Sequence, residues 1–280
     1  MILIADSGST KTSWCLSDKK DTKKFYSTSG INPFFRTTDD IVNELKAELV
    51  PKISGKIKAV YFYGAGVVNI EKADVIRQAL SRLFPGASFE VESDLLAAAR
   101  STLGHQKGIA CILGTGSNSC QYDGENITAH VPPLGFILGD EGSGAVLGRK
   151  LFGYYLKKLL PGELTEKFRQ NFSLDYTDFL NSVYKKDKPN RFLAGFVPFL
   201  KENIDNEYCE KLVSLAFEEF IDRNVKQYTC AEELPVCFVG SVAFYFQEQL
   251  MKVLTQKQLT PGTIIQEPLV NLLHYHLKPK

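Results

Sequence analysis

The 280-residue chain lacks a net charge to speak of, since 33 lysines and arginines face 32 aspartates and glutamates and leave +1. Such a balance gives no broad electrostatic attraction to nucleic acid or to an acidic membrane surface. The chain also lacks any pair of cysteines at CxxC spacing. Its six cysteines, Cys15, Cys111, Cys120, Cys209, Cys230 and Cys237, point to neither a zinc knuckle nor a thioredoxin-like site. They read mostly as buried small hydrophobes of a reducing compartment. No stretch approaches roughly 18 uncharged apolar residues, so no spanning helix is expected. The apolar first residues are interrupted by Asp6 and Gly8 with no basic segment before them, a poor pattern for a signal peptide. Low-complexity tracts are missing too. The expectation is a soluble, cytoplasmic protein.

Apolar residues make up 44% of the chain, enough to build real cores. The length suits two domains. Met1 to Ala5 reads as a buried strand, followed by strands over Thr12 to Leu16 and Phe25 to Ser29. Ile41, Leu45 and Leu49 recur at helical spacing, as do Ile76, Leu80 and Leu83. Between these helices Ala59 to Tyr63 is strand-like and ends at Gly64-Ala65-Gly66. Phe89 and Val91 lead a short strand into Asp94, after which Ala97 to Ala99 favour a helix. The plan restarts at Gly108: Ile109 to Leu113 is an apolar strand ending in GTGSNS, with a return strand over Ser119 to Tyr122. Two half-molecules of related build are expected. Long helices are predicted over Gly142 to Leu160 and Tyr208 to Val225, a buried strand over Val236 to Val239, and helices over Val242 to Leu250 and Pro268 to His276. Strands alternating with helices argue for α/β layers.

Four stretches carry candidate chemistry. DSGSTKT follows the first strand, and glycine-rich turns expose backbone N–H groups that can surround phosphate oxygens. Hydroxyls and Lys11 add donors. Asp6 is a hard oxygen ligand suited to holding magnesium through water. The turn is neither a P-loop nor a dinucleotide fingerprint. GTGSNS is a second such turn, and VGSVAF a third, placed between a strand and a helix. Each could equally be a plain corner, but three at strand ends in one chain favour a shared ligand. The fourth, LGDEGSGAVLGRK, sets Asp140 and Glu141 before a helix, where acids also suit the helix dipole. Its Gly139, Gly142 and Gly144 suggest close backbone approach to a ligand.

DSGSTKTSW, TGINP, SDLLAAAR, ILGTGSNS, GDEGSGAVLG and VGSVAF occur in the order of one family. The chain resembles the BadF/BadG/BcrA/BcrD-type ATPases, and within them the N-acetylglucosamine kinase-like proteins of the actin/Hsp70/sugar kinase superfamily, from Ile4 to about His276. The resemblance implies an α/β, two-lobed, ribonuclease H-like fold with a nucleotide cleft. It implies an N-terminal sugar kinase lobe over 1–104, a nucleotide-binding lobe with helical insertions over 105–266, and a C-terminal helix over 267–280 that returns to the first lobe. By the same resemblance, ATP and Mg2+ are the cofactors. Asp6 lies near the metal, Gly8, Ser9, Thr10, Lys11 and Thr12 surround the phosphate tail, and Gly114, Thr115, Gly116 and Ser117 form the second phosphate turn. Gly240 and Ser241 sit by the adenosine. Asp94 matches the catalytic base, Asn32 and Asp140 match sugar-binding positions, and Asn118 and Gly135 share that pocket wall. A homodimer is also implied.

The chemistry fits the residue types. A sugar hydroxyl attacking phosphorus must lose its proton, and an ionised aspartate within hydrogen-bond reach accepts it. The bland reading of Asp94 is a helix N-cap. The family's GGWG segment is replaced here by PPLG, Pro132 to Gly135. Leu134 thus takes an aromatic position in the pocket wall, and the prolines stiffen it. The expected activity is ATP-dependent phosphorylation of an amino sugar, with N-acetylglucosamine at its 6-hydroxyl first. The alternatives are an ATPase that drives a partner protein and a nucleotide or sugar sensor without catalysis. The family's activators carry iron–sulfur cysteines with no clear match here.

Overall fold

The computed structural model describes residues 1–8, 10–18 and 23–277. The chain divides into two compact units, one of residues 1–105 and 267–280, the other of residues 106–266.

The first unit opens with β1 (Ile2–Ser7), β2 (Lys11–Ser17), β3 (Lys23–Ser29), α1 (Thr38–Glu48), β4 (Ala59–Gly64), α2 (Ile70–Leu83), β5 (Ser88–Ser93) and α3 (Asp94–Leu103). Its five strands form one sheet in the order β3-β2-β1-β4-β5. The first three make an antiparallel meander, and β4 and β5 extend it in parallel. Ile2 to Ala5 of β1 form an unbroken apolar run because both faces of the strand are covered there. Leu3 and Ala5 join Val60, Phe62 and Val91 under the apolar stripes Ile41/Leu45 and Ile76/Leu80 of α1 and α2. Ile2 and Ile4 face the other way. Local signals set the helix starts. Thr37 and Asp40 form a capping box before α1, Asn69 caps α2 and Ser93 caps α3.

The second unit runs β6 (Gly108–Leu113), β7 (Ser117–Tyr122), β8 (Ile127–Val131), α4 (Gly135–Leu138), α5 (Gly144–Leu156), α6 (Gly162–Asn171), α7 (Tyr176–Tyr184), α8 (Pro189–Ala194), α9 (Val197–Glu202), α10 (Glu207–Arg223), β9 (Pro235–Val239), α11 (Ser241–Tyr245), α12 (Gln247–Gln256) and β10 (Thr260–Ile265). Its sheet order, β10-β9-β6-β7-β8, repeats the first: an antiparallel meander extended by two parallel strands. The related build expected of the two halves is present. The core joins Ile109, Cys111 and Phe238 of the sheet to Leu147, Phe217 and Phe220 of the helices. An aromatic cluster of Phe152, Phe168, Phe196 and Phe199 knits the helical insertion together.

The last helix, α13 (Leu269–Leu277), belongs to the first unit. Leu269, Leu272 and Leu273 pack on Ile2, Ile4, Tyr63 and Ala97. A polar cluster fastens its end. His276 Nε2 lies 2.8 Å from the Tyr63 hydroxyl, Arg100 donates to the same hydroxyl at 2.7 Å, and Arg100 is paired with Glu90.

Three readings of the sequence change. The helix expected over 142–160 is shorter, because Gly142 takes a left-handed φ of +70°, Ser143 caps α5, and Lys158 turns left-handed after its end. The helix expected over 242–250 is two helices broken at Phe246, whose fully buried ring fixes a non-helical backbone there. β8 and β10 were not expected. Both are edge strands with register shifts, at Gln121/Tyr122 and at Pro261/Ile264; the shift within β10 obscures its period of two, while β8 alternates but is only five residues long.

Candidate active site

In an open sheet with parallel strands, ligands gather beyond the carboxyl ends of those strands. In the first unit, Ser7, Gly64 and Ser93 lie in register at those ends. Asp6 and Tyr63 are also in register, so both side chains share one face of the sheet. Asp94 follows Ser93 as the first residue of α3. The helix cap is Ser93, whose hydroxyl accepts the Leu96 N–H at 3.2 Å. The capping role considered for Asp94 therefore belongs to its neighbour.

Asp6 feels the charge of Asp94. Burial pushes Asp6 up from 3.8 to about 7, Asp94 and Glu267 add repulsion, and Lys11 pulls the other way. Burial raises Asp94 to about 6, partly offset by the N–H groups of Leu95 and of Asp94 itself. A site that strains to keep its carboxylates ionised suits a cation. Among the described residues no three acids, cysteines or histidines are grouped as a metal cage. Magnesium takes one or two protein carboxylates and keeps waters or phosphates for the rest, and Asp6 is a carboxylate of that kind.

The first turn is tight: Gly8 N–H donates to the Lys11 carbonyl at 3.0 Å. Thr10 and Lys11 are exposed beside it, while Ser9 lies outside the described residues. Thr12 differs from its expected use. Its buried hydroxyl donates to the Ser29 carbonyl at 3.0 Å and shares a hydrogen bond with Ser7 at 2.7 Å. Ser7 in turn binds both backbone groups of Ile31. The Thr12 hydroxyl thus ties the strands to the loop that carries Asn32 instead of facing a ligand. Asn32 accepts the Phe34 N–H at 2.9 Å. Gly66 passes beneath it with φ +85°, and a Cβ there would stand 2.5 Å from the Asn32 oxygen. Only glycine at 66 leaves room for the Asn32 side chain there.

In the second unit, Ile112, Val239 and Ile265 are in register at the parallel ends. The GTGSNS turn is pinned to the start of α5: Gly144 N–H donates to Gly114 at 2.8 Å and Ala145 N–H to Thr115 at 3.0 Å. Gly240 has φ +123°, and a Cβ would come within 2.3 Å of the Leu113 carbonyl oxygen. Only glycine lets the VGSVAF turn close on the GTGSNS turn. Ser117 N–H donates to Asp140 at 3.2 Å, so Asp140, Ser117 and Asn118 are brought together. Burial raises the Asp140 carboxyl and Glu141 adds to it, against the Ser117 N–H. Glu141 is structural, accepting from Arg223 at 3.1 Å and Asn224 at 3.3 Å on α10.

The glycines of this stretch need no ligand to explain them. A Cβ on Gly139 would meet the Pro133 carbonyl at 2.2 Å, and one on Gly144 would meet Gly114 and Ala194 at 3.2 Å. The close approach is between parts of the protein. Leu134, left-handed at φ 60°, is 60% exposed ahead of Gly135, where a Cβ would meet nothing.

A cavity of about 450 Å³ opens beside the two glycine turns of this unit, lined by Gly114, Thr115 and Ser241 on one side. Val197, Lys201 and Glu202 of α9, with Tyr245, complete it. Sequence reading missed these last residues, since α9 lies in the helical insertion and carries no local motif. Glu267, whose charge acts on Asp6, was missed because it is far from Asp6 along the chain.

Two α/β units of repeated sheet order, with glycine turns at their parallel strand ends, define the actin/Hsp70/sugar kinase superfamily. The chain is 48% identical to a putative N-acetylglucosamine kinase from Porphyromonas gingivalis, over 99% of both chains, with a TM-score of 0.95. It therefore belongs to the N-acetylglucosamine kinase-like group of the BadF/BadG-type ATPase family. A putative N-acetylglucosamine kinase from Chromobacterium violaceum shares the fold at 19% identity over 99% and 98% of the chains, TM-score 0.75. So does a ROK hexokinase from Thermus thermophilus at 13% identity over 98% and 97%, TM-score 0.52. No family model and no curated protein matches the chain.

Proposed function

We propose that the protein is an ATP-dependent amino sugar kinase that phosphorylates N-acetylglucosamine at its 6-hydroxyl. The observation that carries this is the 48% identity, over 99% of both chains, to a putative N-acetylglucosamine kinase. The raised carboxylates of Asp6 and Asp94 at the strand ends of the first unit support it.

Asp94 is the group that takes the proton of the attacking hydroxyl. With its carboxyl near 6, it is ionised at neutral pH yet basic enough to accept a proton in the transition state. The free N–H groups at the start of α3 keep the carboxylate aligned. Asp6 would hold magnesium, and Lys11 with the backbone of Gly8 and Thr10 would lie along the phosphates. Bound magnesium supplies charge neutralisation on the phosphoryl oxygens, the main need of this reaction. Within the second unit, Gly114, Thr115, Gly116 and Ser117 form a phosphate turn, and the cavity bounded by Ser241 and Tyr245 takes the nucleoside, next to Gly240. By the resemblance, Asn32 in the first unit is a sugar-contacting position, as are Asn118, Gly135 and Asp140 in the second. The resemblance also carries a homodimer, which sedimentation measures directly.

The test is ADP release from ATP and magnesium against a panel of free sugars and a no-sugar control. Turnover that depends on N-acetylglucosamine is expected. Equal turnover with and without sugar points to an ATPase acting on a partner, and tight ATP binding without turnover points to a sensor.

A further inference from the structure

We propose that His130 is a positioning residue that locks the Asn118 side chain with its two amide hydrogens turned to the sugar, so that this position reads an acceptor oxygen. The inference rests on the amino sugar kinase reading above.

The hydrogen bonds fix the orientation one atom at a time. The Ser119 N–H donates to the Asn118 amide at 2.9 Å. A backbone N–H can only donate, so the atom it meets is the oxygen Oδ1 and not the amide nitrogen. The same Oδ1 lies 2.9 Å from His130 Nε2. Oδ1 can only accept, so Nε2 carries the hydrogen. That fixes the neutral ring as the Nε2–H tautomer, and the contact also survives ring protonation, because both nitrogens then donate. Both lone pairs of Oδ1 are now filled. What Asn118 has left is its Nδ2 group, which has no partner among the described residues.

The neighbourhood makes that donor meaningful. His130 faces Cys120 in the β7–β8 register, and Cys120 shares a sheet face with Asn118 two residues away. On the adjoining turn, Asp140 Oδ1 accepts the Ser117 N–H, and its carboxylate lies against Gly116, where a Cβ would stand 3.2 Å from Oδ2. An acceptor-only carboxylate and a donor-only amide thus flank the start of one strand. Such a pair fits a ligand that offers one donor and one acceptor close together, as an acetamido group or two adjacent hydroxyls do. Without His130 the Asn118 oxygen would keep only the Ser119 N–H, and an amide that turned would set a second acceptor beside Asp140 and lose that match.

The test uses the full chain. In ¹⁵N-histidine-labelled protein, the His130 ring is expected as the Nε2–H tautomer when neutral. His130→Ala is expected to raise the KM and Kd for N-acetylglucosamine about five- to tenfold, the effect of one net hydrogen bond, with kcat and the KM for ATP within about twofold of wild type. His130→Gln, which places an amide nitrogen near the Nε2 position, is expected to restore sugar affinity. His130 is exposed, so its removal hollows no core. An Nδ1–H tautomer, or His130→Ala with wild-type sugar affinity, overturns the proposal while leaving the kinase reading intact. A wild type that phosphorylates no sugar overturns the kinase reading, and with it the ligand assigned to Asn118, even if the tautomer is as expected.

Discussion

Replacing Asp6 by asparagine should make the metal-free protein more stable while abolishing its activity. The folded state holds the Asp6 carboxyl near 7 instead of 3.8, first through burial and then through Asp94 and Glu267. A rise of that size penalises the ionised form by about 4 kcal/mol, an upper figure because local water relaxes it. The sign follows from linkage. A carboxyl whose folded value lies above its unfolded value favours folding below about pH 4, and that contribution disappears as pH rises through about 7. Asp6→Asn removes the group that titrates, so its gain over wild type should be small at pH 4.5, grow between pH 5 and 7, and level off near pH 8. At roughly 2–4 °C per kcal/mol for a protein of this size, the ceiling is a midpoint about 10 °C higher at pH 8. The assay is thermal unfolding across pH in the presence of a chelator. With magnesium and nucleotide added, wild type should gain stability and Asp6→Asn should gain much less, because the ion stabilises only the ionised carboxylate. Equal midpoints at pH 8, or a variant less stable than wild type, would show that the charge on Asp6 is already compensated inside the protein. The cation-site argument would then fail.

Asp94→Asn keeps the size and the helix start but cannot accept a proton. It should lower kcat by about 10²–10⁴ with little change in the KM for sugar, measured by coupled ADP release. His276 is held down to about 4, chiefly by burial, with Arg100 lowering it further and Glu90 opposing. Its folded value is depressed, so stability is present above about pH 6.5 and is lost as pH falls toward 4. His276→Gln should flatten that limb in acid unfolding curves, and an unchanged limb would contradict the burial of the ring against Tyr61 and Tyr63. Gly240→Ala adds a Cβ 2.3 Å from the Leu113 carbonyl at φ +123°. A loss of about 3 kcal/mol in chemical denaturation is expected, with a raised KM for ATP. A neutral variant would mean that the two glycine turns do not need to touch.

Much of this was legible because the signals were local. The stripe Ile41, Leu45 and Leu49 reads at once as a helix face and is buried as read. Strand followed by a glycine and hydroxyl turn recurs at Asp6 and at Gly114, and the repeated sheet order explains the recurrence. What stayed hidden depended on distant partners. Thr12 looks like any turn hydroxyl until Ser29 and Ser7 are seen to engage it. Gly139 and Gly144 look ligand-driven until Pro133 and Gly114 are seen pressed against them. Asp94 and Ser93 are neighbours with equal claims to the cap, and only the hydrogen bond to Leu96 N–H decides. Glu267 is more than 250 residues from Asp6 in the chain, and no spacing rule links them.

The central claim is that the phosphoryl group goes to a sugar hydroxyl. It is tested most directly by incubating the protein with γ-labelled ATP, magnesium and N-acetylglucosamine, then measuring how the label divides between sugar phosphate and inorganic phosphate. The account predicts label almost wholly on the sugar, at the 6-position by NMR, with transfer by Asp94→Asn slowed by about 10²–10⁴. Label released as inorganic phosphate at the same rate with or without sugar would contradict it.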